Sequence, residues 1–105
     1  MAKDRLDALR VAFTSRRYIL TWHATERLEE RKITPREVEE TILSPKAEII
    51  EDYPNDPRGP SCLVLGETKS GRIMHVQVTY PPLVWVVTVY EPEEDKWRDP
   101  RIRRR

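Results

Sequence analysis

The chain contains few of the residues that form disulfide bonds and metal sites. It has one cysteine, Cys62, and two histidines, His23 and His75. A single cysteine excludes a disulfide within the chain and suits a reducing compartment. Because it lies in an apolar run, we interpret Cys62 as a buried small hydrophobe. Two histidines and one cysteine, widely spaced, do not form a zinc signature. The sequence therefore predicts neither a metal site nor a cofactor.

Long apolar runs and an excess of one charge are also missing. The longest apolar stretch, Leu83 to Val89, is far shorter than the roughly 20 residues of a membrane span. The first residues, Met1 to Asp4, are too polar for a secretory signal, so we expect a cytoplasmic protein. Nineteen basic residues against 18 acidic ones leave a net charge of +1. Total charge therefore gives no argument for nucleic-acid binding.

The positive charge that is present is unevenly distributed. Arginine outnumbers lysine 14 to five, which favours bidentate contacts with carboxylates or phosphates. Six of the last ten residues are cations, and Asp99 is the single acid among them. We divide the chain into one domain, residues 1–95, and a basic C-terminal tail, residues 96–105. The tail either attracts a polyanion or an acidic partner surface, or is a flexible, solubilising end.

Hydrophobic periodicity predicts helices in the first part of the chain and strands in the second. The predicted helices are Asp4 to Ser15, Thr21 to Lys32, and a third that begins at Thr34 and ends before Ser44-Pro45. The third has the clearest start, because Thr34 can cap it, Pro35 suits its first position and Glu37 can complete a capping box. The predicted strands are Ala47 to Tyr53, Ser61 to Glu67, Arg72 to Tyr80 and Leu83 to Tyr90.

This order of elements predicts an α+β fold. Short connections between consecutive strands favour antiparallel pairing. We therefore expect two to three N-terminal helices packed on one face of a four-stranded antiparallel sheet. The last strand is the most apolar, so we expect it inside the sheet and not at an edge.

The second predicted helix carries a row of one histidine and two arginines. His23, Arg27 and Arg31 are four residues apart, so they drift only ~40° per step around the helix. They border the apolar stripe that contains Ala24 and Leu28. Arginine binds phosphate oxygens, and histidine can transfer a proton near neutral pH, so the row suits a phosphodiester substrate. Alternatively, the row is an ordinary solvated helix face.

The last two strands carry a second polar cluster. In the third strand, His75 and Gln77 alternate with apolar residues, and in the fourth Thr88 and Tyr90 share one face. If the hairpin register places them side by side, an imidazole, an amide, a hydroxyl and a phenol lie together. The alternative is a wet sheet face with a hydrogen-bonded histidine.

Together these residues resemble a family of small bacterial proteins of undefined individual function. The matching residues are His23-Ala24, Arg27, Arg31, Ile33-Thr34, Val38, Tyr53-Pro54-Asn55-Asp56, Gly59, Leu63-Val64-Leu65-Gly66, Gly71, His75-Val76, Val89-Tyr90-Glu91-Pro92 and Trp97. The match covers residues 21–97; the first helix and the arginine tail lie outside it. That family is similar to the RelE, MqsR and BrnT toxins, which share a barnase/RelE-like fold.

The resemblance implies a toxin-like, metal-independent endoribonuclease of a toxin–antitoxin system. Its partners would be an RNA substrate and a cognate antitoxin, for which the zinc-finger YgiT/MqsA type is the candidate. Such an enzyme needs a base for the 2′-hydroxyl, cations for the phosphorane and an acid for the leaving oxygen. The hypothesis gives proton transfer to His23, His75 and Tyr90, and phosphate binding to Arg27 and Arg31.

Further residues are candidates for substrate contacts. Tyr53 and Arg58 lie on the long loop between the first two strands, and Gln77 lies in the polar cluster. Trp22 or Trp97 could stack on an unpaired base, although tryptophans in a small domain usually belong to the core. The rival hypothesis is a non-catalytic module that uses its arginines to bind a protein partner or a nucleic-acid backbone.

Overall fold

The computed structural model describes residues 2–103 and has the expected α+β class. In that range the helices are α1 (Ala2–Thr14), α2 (Trp22–Arg31) and α3 (Pro35–Leu43). The strands are β1 (Tyr18–Leu20), β2 (Glu48–Tyr53), β3 (Ser61–Glu67), β4 (Ile73–Thr79), β5 (Val84–Tyr90), β6 (Trp97–Asp99) and β7 (Ile102–Arg103). The predicted helices and the four predicted strands are thus present, with bounds that differ by at most two residues.

The main sheet differs from the prediction of four antiparallel strands. It has five strands in the order β1-β5-β4-β3-β2, and β1 runs parallel to β5. The prediction was wrong because Tyr18–Leu20 is too short to show a strand period, yet it pairs with residues 84–86. This extra strand gives β5 a neighbour on each side, so β5 lies inside the sheet, as expected from its apolar composition.

Local signals in the sequence determine where α2 and α3 begin. The Thr21 hydroxyl accepts a hydrogen bond from the Ala24 amide at 2.9 Å, as an N-cap does. At α3 the predicted capping box is confirmed, because Thr34 accepts from the Glu37 amide and Glu37 accepts from the Thr34 amide. Lys32, with φ 54°, ends α2 in the left-handed conformation.

The core lies between the helices and one face of the sheet. Its buried side chains come from all three helices and from strands β3 to β5: Leu9, Phe13, Ala24, Leu28, Val38, Ile42, Cys62, Val64, Met74, Val76, Val78, Val84, Val86 and Val89. α3 approaches β3 so closely that a Cβ at Gly66 would lie 2.1 Å from the Thr41 carbonyl oxygen. The core therefore requires glycine at this position.

Helix α2 lies along the β5 side of the sheet. The chain leaves β1 at Thr21, whose amide donates to the Val86 carbonyl, and α2 then continues beside β5 past the end of the short β1. Ala24 and Leu28 face the core. The row of His23, Arg27 and Arg31 consequently borders the other face of the sheet, which we call the polar face.

The polar face is partly covered by the chain's last elements. Residues 97–103, which belong to the predicted basic C-terminal tail, form the β6–β7 hairpin, and Trp97 is buried. This segment therefore packs against the sheet, with the Trp97 ring and the Pro100 carbonyl both in contact with His75. Residues 104 and 105, the end of the predicted tail, lie outside the described residues.

Candidate functional site

The predicted polar cluster on β4 and β5 is present. His75 pairs in register with Tyr90, and Gln77 pairs with Thr88. The four side chains therefore occupy neighbouring positions on the polar face. Their surroundings differ, because the hairpin covers one end of this face and α2 borders one side.

His75 is fully buried beneath the hairpin. Its Nε2 lies 2.7 Å from the Pro100 carbonyl oxygen, and the Trp97 ring packs edge-on at 4.3 Å between centroids. A carbonyl can only accept, so Nε2 carries the proton and Nδ1 accepts from the Tyr90 hydroxyl at 3.3 Å. Burial lowers the pKa of His75, although the hydrogen bond to Pro100 partly offsets this. The ring is therefore neutral and oriented toward Tyr90.

One groove opens beside this buried imidazole; we call it the Arg31 groove. It encloses about 580 Å³ and is lined by Arg31, Thr88, Tyr90, Glu91, Glu93, Lys96, Trp97 and Arg103. Three of these side chains are cations, and they share the groove with the Tyr90 phenol. Burial raises the pKa of Tyr90, so the phenol is protonated at neutral pH.

Arg31 and Arg27 have different surroundings although both belong to the α2 row. Arg31 donates to the Val89 carbonyl at 2.6 Å, and its guanidinium lies 5.9 Å from the centroid of the Tyr90 ring. Arg27 instead pairs with Glu30 on the same helix at 3.0 Å. Arg31 is thus held at the groove by the edge of β5, whereas Arg27 has the local pairing that an ordinary helix face shows.

His23 lies in a different groove, which we call the His23 groove. This space of about 540 Å³ is lined by Thr21, His23, Arg58, Thr79, Trp85 and Val87. His23 and Arg31 are eight residues apart, which corresponds to about 12 Å along the helix axis. The structure therefore does not bring His23 and His75 to one open site, and the two-histidine mechanism has no geometric basis here.

The β2–β3 loop is anchored to the polar face by Asp56. Its carboxylate accepts from Arg58 at 3.0 and 3.1 Å, from Ser61 at 2.7 Å and from Gln77 at 3.3 Å. The hydrogen bonds from Arg58 lower the pKa of Asp56 to about 2. The Gln77 amide, a predicted substrate contact, is therefore engaged within the protein, while Arg58 lines the His23 groove.

Tyr53, the other predicted loop contact, bonds to an acid next to the hairpin. Its hydroxyl donates to Glu51, which also accepts from Arg103 at 3.0 Å. Burial and the bond to Glu51 raise the pKa of Tyr53 to about 12. Burial would raise the pKa of Glu51, but the bonds from Arg103 and Tyr53 outweigh it and lower that pKa. This cluster fixes Arg103, whose guanidinium lies 4.5 Å from the centroid of the Trp97 ring.

Several groove residues were not identified from the sequence as site candidates. Arg103 and Lys96 were counted only in the tail, since nothing in their spacing shows that the hairpin folds back. Trp85 was not among the predicted site residues, although β-strand alternation places it opposite the core residues Val84 and Val86. Its side chain is 39% exposed, which is unusual for a tryptophan in the middle of a sheet.

Within residues 2–103 no cluster of three or more His, Cys, Asp or Glu side chains is arranged to hold a metal ion. Among the helices of that range, none has the length and apolar composition to span a membrane. Burial raises the pKa of Cys62 to about 12, which leaves its thiol protonated and buried in the core.

The fold and the site define an α+β domain in which helices cover one sheet face, while the Arg31 groove and the His23 groove open on the other. A family model described as Domain of unknown function (DUF4258) matches residues 20–91. The chain belongs to this family, and the matched region runs from the last residue of β1 to the residue after β5. Comparisons with curated proteins and with solved structures found no match.

Proposed function

We propose that the protein is a metal-independent endoribonuclease that binds the scissile phosphate of a single-stranded RNA in the Arg31 groove. One observation carries the proposal: three cations, Arg31, Lys96 and Arg103, line the same groove as Tyr90. A phosphorane carries more negative charge than the phosphodiester, so fixed cations favour the transition state over the bound substrate. The toxin-like resemblance is the second support.

The groove also contains groups that could transfer protons. Tyr90 is protonated and its hydroxyl is oriented by the neutral His75 ring, so we assign it as general acid. Of the two groove carboxylates, Glu91 is bonded to Arg72 at 2.8 Å, so we assign Glu93 as general base. His75 is then a positioning residue. His23 lines the other groove and therefore has no part in this proposed reaction, so the proton-transfer role that the sequence gave it remains an untested prediction.

The proposed reaction is transesterification within the RNA. The 2′-oxygen attacks phosphorus while Glu93 takes its proton, and the bond from phosphorus to the 5′-oxygen breaks. The Tyr90 hydroxyl turns its proton from Nδ1 of His75 to that leaving oxygen and transfers it there. The products are a 2′,3′-cyclic phosphate and a 5′-hydroxyl, and water returns the proton from Glu93 to Tyr90. No metal ion takes part in these steps.

A matched pair of tyrosine variants tests this proposal. Purified wild type and Tyr90→Phe are incubated with single-stranded RNA in EDTA, with Tyr80→Phe as the control. Tyr80→Phe also removes a phenolic hydroxyl, but in the wild type that hydroxyl donates to Asp52 and lies outside both grooves. We expect cleavage by wild type and Tyr80→Phe and a rate at least about 100-fold lower for Tyr90→Phe, the usual contribution of a general acid.

Two results would contradict the proposal. Intact RNA with folded wild type would remove the catalytic claim. If that protein still bound RNA with an affinity falling steeply with salt, the rival binding module would be favoured. Equal cleavage rates for wild type and Tyr90→Phe would show that the reaction does not take place in the Arg31 groove. A cognate antitoxin stays a prediction from the resemblance.

A further inference from the structure

The His23 groove has no part in the proposed reaction, yet its composition is distinctive. Trp85 and Val87 supply apolar surface, and two ionisable side chains, His23 and Arg58, line the same space. The Arg31 groove, in contrast, is lined mainly by charged residues. An exposed indole beside a guanidinium and an imidazole suits a flat, apolar group that carries a negative charge next to it.

The backbone around Trp85 is fixed before any ligand binds. The Thr79 hydroxyl accepts a hydrogen bond from the Trp85 amide at 2.8 Å and donates to the Leu83 carbonyl at 2.8 Å. On its other side, Trp85 pairs in register with Ile19 of β1. The indole is thus carried by a sheet strand and not by a loop, which reduces the entropy lost when a ligand stacks on it.

The positive side chain across this groove is also held in place. Arg58 donates from Nε and Nη2 to Asp56, and Asp56 is anchored in turn to Ser61 and Gln77. The α2 row continues from His23 through Arg27 to Arg31, and so links this groove to the one that holds the phosphate in the proposed function. The two grooves therefore lie beside different parts of one helix, because His23 and Arg31 are separated by about 12 Å of helix rise.

We propose that the His23 groove binds one nucleobase of the single-stranded RNA substrate, stacked on Trp85, with His23 and Arg58 contacting the adjacent phosphate. This inference rests on the proposed function, because it names the substrate contact that accompanies the phosphate in the Arg31 groove. The substrate is consequently an unpaired segment of several nucleotides. A base held in a duplex cannot present its face to the indole.

Binding without cleavage tests the inference separately from the reaction. The probe is a fluorescent ten-nucleotide 2′-O-methyl RNA, which lacks the attacking hydroxyl, and its affinity is measured by anisotropy in EDTA. We expect Trp85→Ala to weaken binding about 10-fold, the usual loss for one base–aromatic stack. Trp22→Ala is the matched control, since Trp22 is 80% exposed and does not line the groove.

An abasic scan of the probe identifies the stacked base. In wild type, removing the base at one position should weaken binding about 10-fold, and in Trp85→Ala the same removal should have little effect. Trp85→Phe, which keeps an aromatic face and its place in the strand, should bind within about threefold of wild type. This second variant keeps the test decisive if circular dichroism shows that Trp85→Ala is not folded.

The outcomes separate the two proposals. Equal affinities for wild type, Trp85→Ala and Trp22→Ala would overturn the inference, even if the wild type cleaves RNA. The inference would also be overturned if Trp22→Ala weakened probe binding and Trp85→Ala did not. It would be overturned as well if Trp85→Ala lowered the affinity for every abasic probe by the same factor, because no single base would then depend on Trp85. A Trp85-dependent loss at one position, in a protein that leaves unmodified RNA intact, would support the inference and reject the catalytic claim.

Discussion

The imidazole of His75 and the carbonyl of Pro100 are joined by a hydrogen bond of 2.7 Å that connects the β4 strand to the C-terminal hairpin. The same ring accepts from the Tyr90 hydroxyl through its other nitrogen. One buried histidine therefore holds both the hairpin that supplies Arg103 and the phenol that we assign as general acid. Both contacts depend on this ring having a single neutral tautomer.

Stability should fall in mild acid because of His75. Its pKa is lowered in the native state, so between that pKa and about 6.5 the unfolded chain binds a proton that the folded chain does not. We expect the free energy of unfolding to decrease as pH falls from 7 to 5, by at most about 1.4 kcal/mol per pH unit. Urea unfolding at several pH values measures this dependence.

A glutamine at the same position provides the control for this pH dependence. His75→Gln keeps a donor for the Pro100 carbonyl but does not titrate, so its stability should change little over the same range. The exposed His23 remains in both proteins. An equal decrease in wild type and His75→Gln would show that His75 is not its source.

The capping box of α3 makes a measurable contribution to stability. Thr34→Ala removes the hydroxyl that accepts from the Glu37 amide at 3.1 Å. We expect the free energy of unfolding to fall by about 1 kcal/mol, and Thr34→Ser to restore most of the loss. Urea unfolding of the three proteins measures this. If Thr34→Ala had the same free energy of unfolding as the wild type, the cap would contribute nothing to stability.

The approach of α3 to β3 should tolerate no side chain at Gly66. Gly66→Ala places a Cβ against the backbone carbonyl of Thr41, which cannot move without shifting the helix. We expect a loss of about 3 kcal/mol or more, at the upper end of overpacking effects. Gly71→Ala is the comparison, because its Cβ meets no atom within 4 Å and only its φ of +93° opposes the change. Thermal unfolding should show the larger loss for Gly66→Ala.

The thiol of Cys62 should be inert in the folded protein. Burial raises its pKa to about 12, and the side chain is inaccessible to solvent. We expect no reaction with iodoacetamide at pH 8 within the time that fully modifies the urea-unfolded chain, measured by mass spectrometry. Rapid alkylation of the native protein would contradict the position of Cys62 in the core.

Much of the fold could be predicted because it depends on local signals. The Thr34-Pro35-Arg36-Glu37 sequence contains its own cap, and the alternation in residues 73–79 determines which side chains face the core. The parallel strand β1 could not be predicted, since three residues show no period and their pairing with β5 is a long-range contact. The hairpin could not be predicted for a similar reason, because the Trp97 side chain is buried by a long-range contact with His75.

The candidate site was predicted only in part. Register placed His75 beside Tyr90 as expected, but only tertiary packing shows that one is buried and the other lines a groove. Helical spacing correctly put His23 and Arg31 on one row. Their separation into two grooves depends on how α2 follows β5, which the sequence of α2 alone does not specify.

The most direct measurement of the central claim is the fate of single-stranded RNA incubated with the wild-type protein in EDTA. We predict fragments that end in a 2′,3′-cyclic phosphate and begin with a 5′-hydroxyl, as mass spectrometry of the products would show. RNA that remains intact in the presence of folded protein, or fragments that appear only when a divalent metal is added, would contradict it.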